Sequence, residues 1–282
     1  MKAEWRPVAE ERIDTVTAVA AAALHGLLDA PGEPPGEGEP LPPLWHWLAF
    51  LPDSPQRELD LDGHPRRGTF WPPELLPRRM FAGASLHFDD ALTVGTTLQR
   101  RSMVRSVSEK QGRSGRLQFI DVSNEITGRS QLAVDELQSV VHREPATEPT
   151  TPAAALPESR LLEEDTWEWH LELGTEPSLL FRFSALTYNA HRIHYDREYA
   201  TGVEGYSGLV VHGPLQAIGL AELCRRNAGR QLVSFKFKAL RPAFDGVPLR
   251  LRGRWSGQDS AELAAIDRYG QRTMVAEAAF VA

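Results

Sequence analysis

The chain has 282 residues, 41% hydrophobic and 24% charged, which suits a globular protein with a sizeable core. A net charge of −7 argues against general nucleic-acid binding, no apolar run approaches the roughly 18 residues of a membrane span, and no signal-peptide pattern is read at the N-terminus. The single cysteine, Cys224, excludes an intrachain disulfide and predicts a reducing, cytoplasmic setting. Charge is unevenly spread. Residues 29–62 carry eight carboxylates and one basic residue, whereas Arg225 to Arg254 carries nine basic side chains and one acid. Such a basic run suits a small anionic ligand or is simply the wet face of strands.

In chain order, residues 9–28 place Ile13, Val16, Val19, Ala20, Ala23, Leu24 and Leu27 at helical spacing. A Pro/Gly/Glu-rich loop follows, then PLWHWLAFLP, in which Trp45 and Trp47 flank His46 and read as an apolar wall. Prolines 65, 72, 73 and 77 break the next stretch. From Ala84 to Arg143 the pattern becomes four strands in an antiparallel meander, with Gly112 and Gly115 marking a hairpin. Residues 144–160, rich in Pro, Ala and Thr, read as an interdomain linker. This divides the chain into an N-terminal domain, 1–143, and a C-terminal domain, 161–282. The second part has a strand at TWEWHLEL, a helix capped by Thr175 and running to Leu186, a helix from Pro214, and a second four-stranded meander.

The halves repeat. SLHFDDALTVGTTLQRR around Gly95 aligns with FKFKALRPAFDGVPLRLR around Gly246, an offset of 151. The chain is therefore expected to be a duplicated α+β domain, each half a curled antiparallel sheet about a helix. The same offset carries the Pro214–Asn227 helix onto residues 63–76, where an internal proline costs about 3 kcal/mol or more in a helix. The N-terminal half should lack a long central helix and leave a groove for the bulky end of a substrate.

Chemistry concentrates in FSALTYNAHRIHYDREYA, residues 183–200. His194 is suited to proton transfer near neutral pH, and Asn189 can orient a water but cannot take a proton. A metal set of His191, His194 and Asp196 is disfavoured by Arg192 between the two histidines. In VVHGPLQAIGLAEL, Pro214 puts Gly213 at the amino end of a helix, where free N–H groups and the positive dipole end can receive an oxyanion. An ordinary buried helix with a Gly-Pro start reads equally from these residues.

FSALTYNAHRIHYDREYA followed by HGPLQA resembles the hydratase-2 motif of the MaoC-like hotdog family of enoyl-thioester hydratases and 3-hydroxyacyl-thioester dehydratases. RRMFAGASLHF resembles the degenerate first hotdog of its two-domain members, and the chain is most similar to the branch that holds mesaconyl- and itaconyl-CoA hydratases and the mitochondrial type-2 3-hydroxyacyl-thioester dehydratases. The resemblance implies a double hotdog fold and a hydro-lyase acting on an enoyl thioester of CoA, with a dicarboxylic acyl group in view. It implies no cofactor and no metal; the partner is the acyl-CoA substrate, with no nucleic acid or membrane and a homo-oligomer left open. Laid on the family pattern without gaps, the acid position is Asn189, the next two motif positions are His191 and Arg192, and the base is His194. His194 would then move the proton, Asn189 hold the water, and the Gly213 N–H bind the thioester oxygen. Tyr188, His191, Arg192 and His212 would orient substrate, Arg192 through a substrate carboxylate, and the basic run from Arg225 would meet CoA phosphates. A hotdog thioesterase and a non-catalytic acyl-CoA-binding module remain alternatives.

Overall fold

A computed structural model describes residues 5–112, 115–129, 131–144 and 166–281; residues 145–160 of the expected linker lie outside them. Ten strands form one sheet: β1 (Glu10–Thr15), β2 (Arg78–Phe88), β3 (Thr97–Gly112), β4 (Gly115–Gly128), β5 (Gln131–Arg143), β6 (Trp169–Leu173), β7 (Leu232–Ala239), β8 (Leu249–Trp255), β9 (Ser260–Ile266) and β10 (Arg272–Phe280). Their order is β1-β3-β4-β5-β2-β7-β10-β9-β8-β6, antiparallel at every neighbouring pair. The order reads the same from both edges once β1 is matched with β6 and β2 with β7. The four strands expected in each half are present, but only three of them run as a meander, β3-β4-β5 and β8-β9-β10; β2 and β7 lie beside β5 and β10 instead of beside the strands that follow them in sequence.

The duplication is visible in the register. Ser85 of β2 pairs with Lys236 of β7, and these two residues are themselves 151 apart, so a pseudo-twofold axis passes through that pair. Gly95 and Gly246, matched by the same offset, both hold positive φ, +79° and +99°, a turn conformation that costs a residue with a Cβ. The helices α1 (Ala18–Leu27) and α2 (Pro177–Leu186) follow β1 and β6 respectively and pack against each other.

Three further expectations need correction. The helix expected over residues 9–28 begins only at Ala18: residues 10–15 pair with β3, and Asp14 accepts the Phe50 N–H at 2.6 Å. Edge pairing overrides the helical spacing, and Ile13 is left exposed. The α2 cap is Glu176 rather than Thr175, because the buried Thr175 hydroxyl donates to the Val247 carbonyl instead.

The third correction concerns the missing central helix. In the C-terminal half α3 (Gly213–Asn227) is buried from Leu215 to Cys224 and packs on β2 and on β6 to β10, the arrangement that gives the half its core. Its lead-in is fixed by Val211 N–H to the Ala243 carbonyl and Asp245 N–H to the Leu209 carbonyl; Leu41 N–H to Leu92 and Val94 N–H to Glu39 repeat that pattern in the first half. The counterpart of α3 is therefore the single 3-10 turn Trp45–Leu48, not residues 63–76. Prolines still forbid the helix, but they are Pro52 and Pro55. Residues 63–76, which hold no helix, cover the site described next.

Candidate active site

Helix α2 ends by a local device that aims the motif. Tyr188 takes a left-handed conformation, φ +49°, its N–H bonds the Ala185 carbonyl, and Asn189 N–H bonds the Ser184 carbonyl at 2.8 Å. This is the 6→1, 5→2 pattern of a Schellman stop. Tyr188 points outward, 63% exposed. The Asn189 Oδ1 accepts the His191 N–H at 3.0 Å, so the amide braces the turn that carries His191 and His194. Arg192 donates twice to Asp196 and once to the Leu61 carbonyl and stacks over Tyr199. Asp196 is thereby bound to Arg192 rather than gathered with the histidines.

His194 is buried. Its Nδ1 lies 2.7 Å from the Val210 carbonyl, which can only accept, so Nδ1 carries the hydrogen and Nε2 is left with its lone pair. The ring stacks on His212 at 3.7 Å and meets His191 edge-on at 5.4 Å. Burial pulls His194 down to about 4, opposed by the Val210 carbonyl and assisted by the charge of His64. Burial, with His64 and His194 beside it, takes His191 down to about 2. His212 lies well below the usual value for the same reason. Its Nε2 is 2.8 Å from the Ser184 hydroxyl. The cluster is uncharged at neutral pH, and His194 presents a free base nitrogen.

His212 leads directly into α3. Gly213 occupies its first turn, where amides have no partner within the helix, and remains partly accessible while the ten residues from Leu215 are buried. A Cβ on Gly213 would lie 3.3 Å from the Phe81 ring. Phe81, Trp47 and Phe237 form an aromatic trio with centroids 5.7 to 6.1 Å apart. The helix start therefore adjoins an apolar wall to which both halves contribute, Trp47 and Phe81 from the first and Phe237 from the second. Trp47 belongs to that wall, as expected, and also donates to the buried Glu136 at 2.9 Å.

What the sequence did not disclose is the loop Asp60–His64. Its Asp62 carboxylate lies 2.9 Å from His64 Nδ1, and the His64 ring stands 4.2 Å from that of His191. Burial opposes ionisation of Asp62, but the hydrogen bond and charge of His64 outweigh it and hold the carboxyl below its usual range. The only local signal was an Asp-Gly-His set among prolines, and nothing in spacing ties it to residue 191. Arg79 of β2 joins the same neighbourhood: its guanidinium lies over Trp71 and makes no hydrogen bond or ion pair with a described residue. Donor atoms of Asp62, His64 and His191 fall within 4.8 Å of one another, a spacing that could admit a cation. Burial draws His64 down, opposed by its hydrogen bond to Asp62, and the positive charge of Arg79 pushes both His64 and His191 down further.

The basic run is largely engaged elsewhere. Arg225 and Arg226 bind Glu222, Arg230 binds Asp259 and Arg254 binds Glu262, while Lys236, Lys238 and Arg241 are exposed. Two cavities adjoin the shortened turn of the first half. One of about 530 Å³ reaches Leu41, Trp45, Cys224 and Arg225; another of about 140 Å³ touches His46, Arg100, Glu136 and Thr187.

The model of the hydroxyacyl-thioester dehydratase type 2 family matches residues 44–245, a span that takes in parts of both halves and includes Asp62, His64, Arg79, the motif turn and Gly213. The chain belongs to that family. It is 46% identical over 262 residues to mesaconyl-C(4)-CoA hydratase of Chloroflexus aurantiacus, covering 93% of this chain and 91% of that one. It is 41% identical over 78 residues to the mitochondrial type 2 hydroxyacyl-thioester dehydratase of Schizosaccharomyces pombe, covering 27% of this chain and 26% of that one. Among solved structures, a MaoC-like dehydratase from Phytophthora capsici superposes with a TM-score of 0.69 at 16% identity, covering 97% and 95% of the two chains. A Mycobacterium tuberculosis protein described as a double hotdog superposes at 0.57 with 14% identity, covering 99% and 96%. The double hotdog is thus the fold of this chain, as the duplicated register requires.

Proposed function

We propose that this hydro-lyase reversibly adds water across the α,β double bond of an enoyl-CoA, with His194 as the base. The observation that carries the reading is the His194 tautomer: the Val210 carbonyl holds hydrogen on Nδ1, leaving Nε2 to take a proton from water. As oxygen bonds to Cβ, charge grows on the thioester oxygen, and the Gly213 amide at the positive end of α3 receives it. Asn189 supports His191 rather than handling a proton, and the Phe81–Trp47–Phe237 wall flanks the acyl group.

The relative from Chloroflexus points to an acyl group with a free carboxylate. Arg192 is paired with Asp196, whereas Arg79 has no such partner among the described residues. Arg79 is therefore the cation we assign to a substrate carboxylate. In a mesaconyl group joined through C4, that carboxylate sits on the β-carbon, next to where water adds. The test is enoyl-CoA hydration followed by loss of enoyl absorbance, with mesaconyl-C4-CoA and crotonyl-CoA as substrates. His194→Ala should lower kcat by about 10³ with the fold intact. Turnover within tenfold of wild type would exclude His194 as the base, and thiol release without hydration would favour a thioesterase.

A further inference from the structure

Hydration needs two proton movements, one off the water and one onto Cα, and His194 accounts for one. The motif turn supplies no free carboxylate for the other: position 189 is an amide whose oxygen is held by the His191 N–H, and Asp196 is bound by Arg192. The complement comes from the other half of the molecule. We propose that Asp62 and His64 form the second proton-handling pair, His64 exchanging a proton with Cα while Asp62 orients its ring and supports its charged form. The inference rests on the hydratase reading.

The loop is built to hold this pair against the motif. Asp60 N–H bonds the His64 carbonyl and Gly63 N–H bonds the Asp60 carbonyl, closing a tight turn. Within it, Asp62 accepts both the His64 N–H and Nδ1–H at 2.9 Å. The turn docks through Arg192 N–H to the Asp62 carbonyl at 2.8 Å and Arg192 Nη1 to the Leu61 carbonyl at 3.1 Å. Gly63 lies so close that a Cβ would fall 1.8 Å from the Ala190 carbonyl oxygen. His64 keeps 20% of its side chain accessible, while its ring meets His191, which in turn meets His194. With Nδ1 directed to Asp62, Nε2 is the atom left for substrate.

The step balances with no further reactant. In hydration His194 Nε2 takes a proton as the water O–H bond breaks and oxygen bonds to Cβ. The double-bond electrons move toward the thioester oxygen, and the Cα–H bond forms with the proton leaving His64 Nε2. The two imidazoles share one proton, which returns from His194 to His64 between turnovers; dehydration runs the same path backwards. The groups facing His64 are Asp60 and Asp62 of its own loop, Arg79 of β2, His142 of β5, and His191 and His194 of the motif turn. Among them Asp62 alone contacts the ring as an anion, so its removal should lower the pH at which His64 loses its proton.

The experiment measures hydration by the full chain against pH, with thermal melts to verify folding. His64→Gln should lower kcat about 100-fold or more with KM within about threefold, and His64→Ala should regain part of its rate in added imidazole. Asp62→Asn should lower kcat about tenfold and move the basic limb of the hydration profile to lower pH, which a purely structural residue would not do. Asp60→Asn, which removes a charge that also favours the protonated His64 but makes no side-chain bond to its ring, should move the limb less than Asp62→Asn. If wild type hydrates but His64→Gln and Asp62→Asn stay within threefold of it, the pair has no such role and the inference alone falls. Activity lost to a chelator and restored by a divalent metal would make Asp62, His64 and His191 ligands and also overturn it. A wild type that hydrates none of the enoyl-CoAs would overturn the hydratase reading and this inference together.

Discussion

Arg79 and Arg192 differ in what surrounds them, although both are guanidiniums near the same histidines. Arg192 holds a carboxylate in two bonds, so a substrate carboxylate there would have to displace Asp196. Arg79 is pulled down to about 10 by burial, with Asp62 opposing and Arg67 assisting, and its guanidinium lies over the Trp71 ring. A half-buried guanidinium without a bonded anion among the described residues gains most from a ligand that brings one. Arg79→Met should therefore lower kcat/KM for mesaconyl-C4-CoA by about 100-fold, of the order expected for a lost charged hydrogen-bond pair, while crotonyl-CoA changes less than threefold. Equal losses on both substrates would remove Arg79 from carboxylate recognition. At this scale His194 was readable from residue type and neighbours, since imidazole is the group that titrates near neutrality. Arg79 was not, because its meaning lies in partners it lacks.

Among the elements, the loop from Leu59 to Pro65 matters more than its length suggests. It is closed by an isolated bridge between those two residues and gripped by the 190–192 turn, with Gly63 at φ +93°. Any side chain at 63 meets both a disfavoured backbone conformation and the Ala190 carbonyl. Gly63→Ala should push the loop off the turn and lower hydration toward the level of His64→Gln. The melting temperature should shift by only a few degrees, because the loop carries little of the buried core. Wild-type turnover in that variant would show that loop docking does not set the site. Helix α3 was legible as a nearly all-apolar run with a Gly-Pro start. The strand β1 was not, because its one apolar residue, Ile13, falls into helical spacing with Val16 and Val19 beyond it, and only pairing with β3 decides otherwise.

Across the whole molecule, buried neutral imidazoles tie stability to pH. His46 is drawn down to about 3, by burial and then Arg100; His191 and His194 lie at about 2 and 4. Each binds a proton in the unfolded chain below about 6.5 but stays neutral in the folded one until its own lower value is reached. The unfolded state binds more protons across that window, so stability rises with pH there and is lost as pH falls from about 6.5 toward 4. Each such group contributes about 1.4 kcal/mol per pH unit. The melting temperature should thus drop steeply between pH 7 and 5, and less steeply in His46→Gln, at a ring outside the His191–His194–His212 cluster. A flat profile over that range would mean that these rings are charged when folded.

Two runs of strands, a buried helix behind a Gly-Pro start, a duplication at offset 151 and a histidine-bearing motif could all be drawn from the chain alone, but the place of β2 and β7 in the sheet could not. Alternation, proline and glycine positions and side-chain chemistry are local properties, and local physics fixes them. Pairing Ser85 with Lys236 joined the halves into one sheet, and the shortened turn at Trp45–Leu48 was found only through matching backbone bonds. Docking of Asp62 and His64 beside His191 likewise depends on contacts between residues far apart in the chain. No periodicity encodes such contacts, because they arise where packing and hydrogen bonding of distant segments are satisfied together.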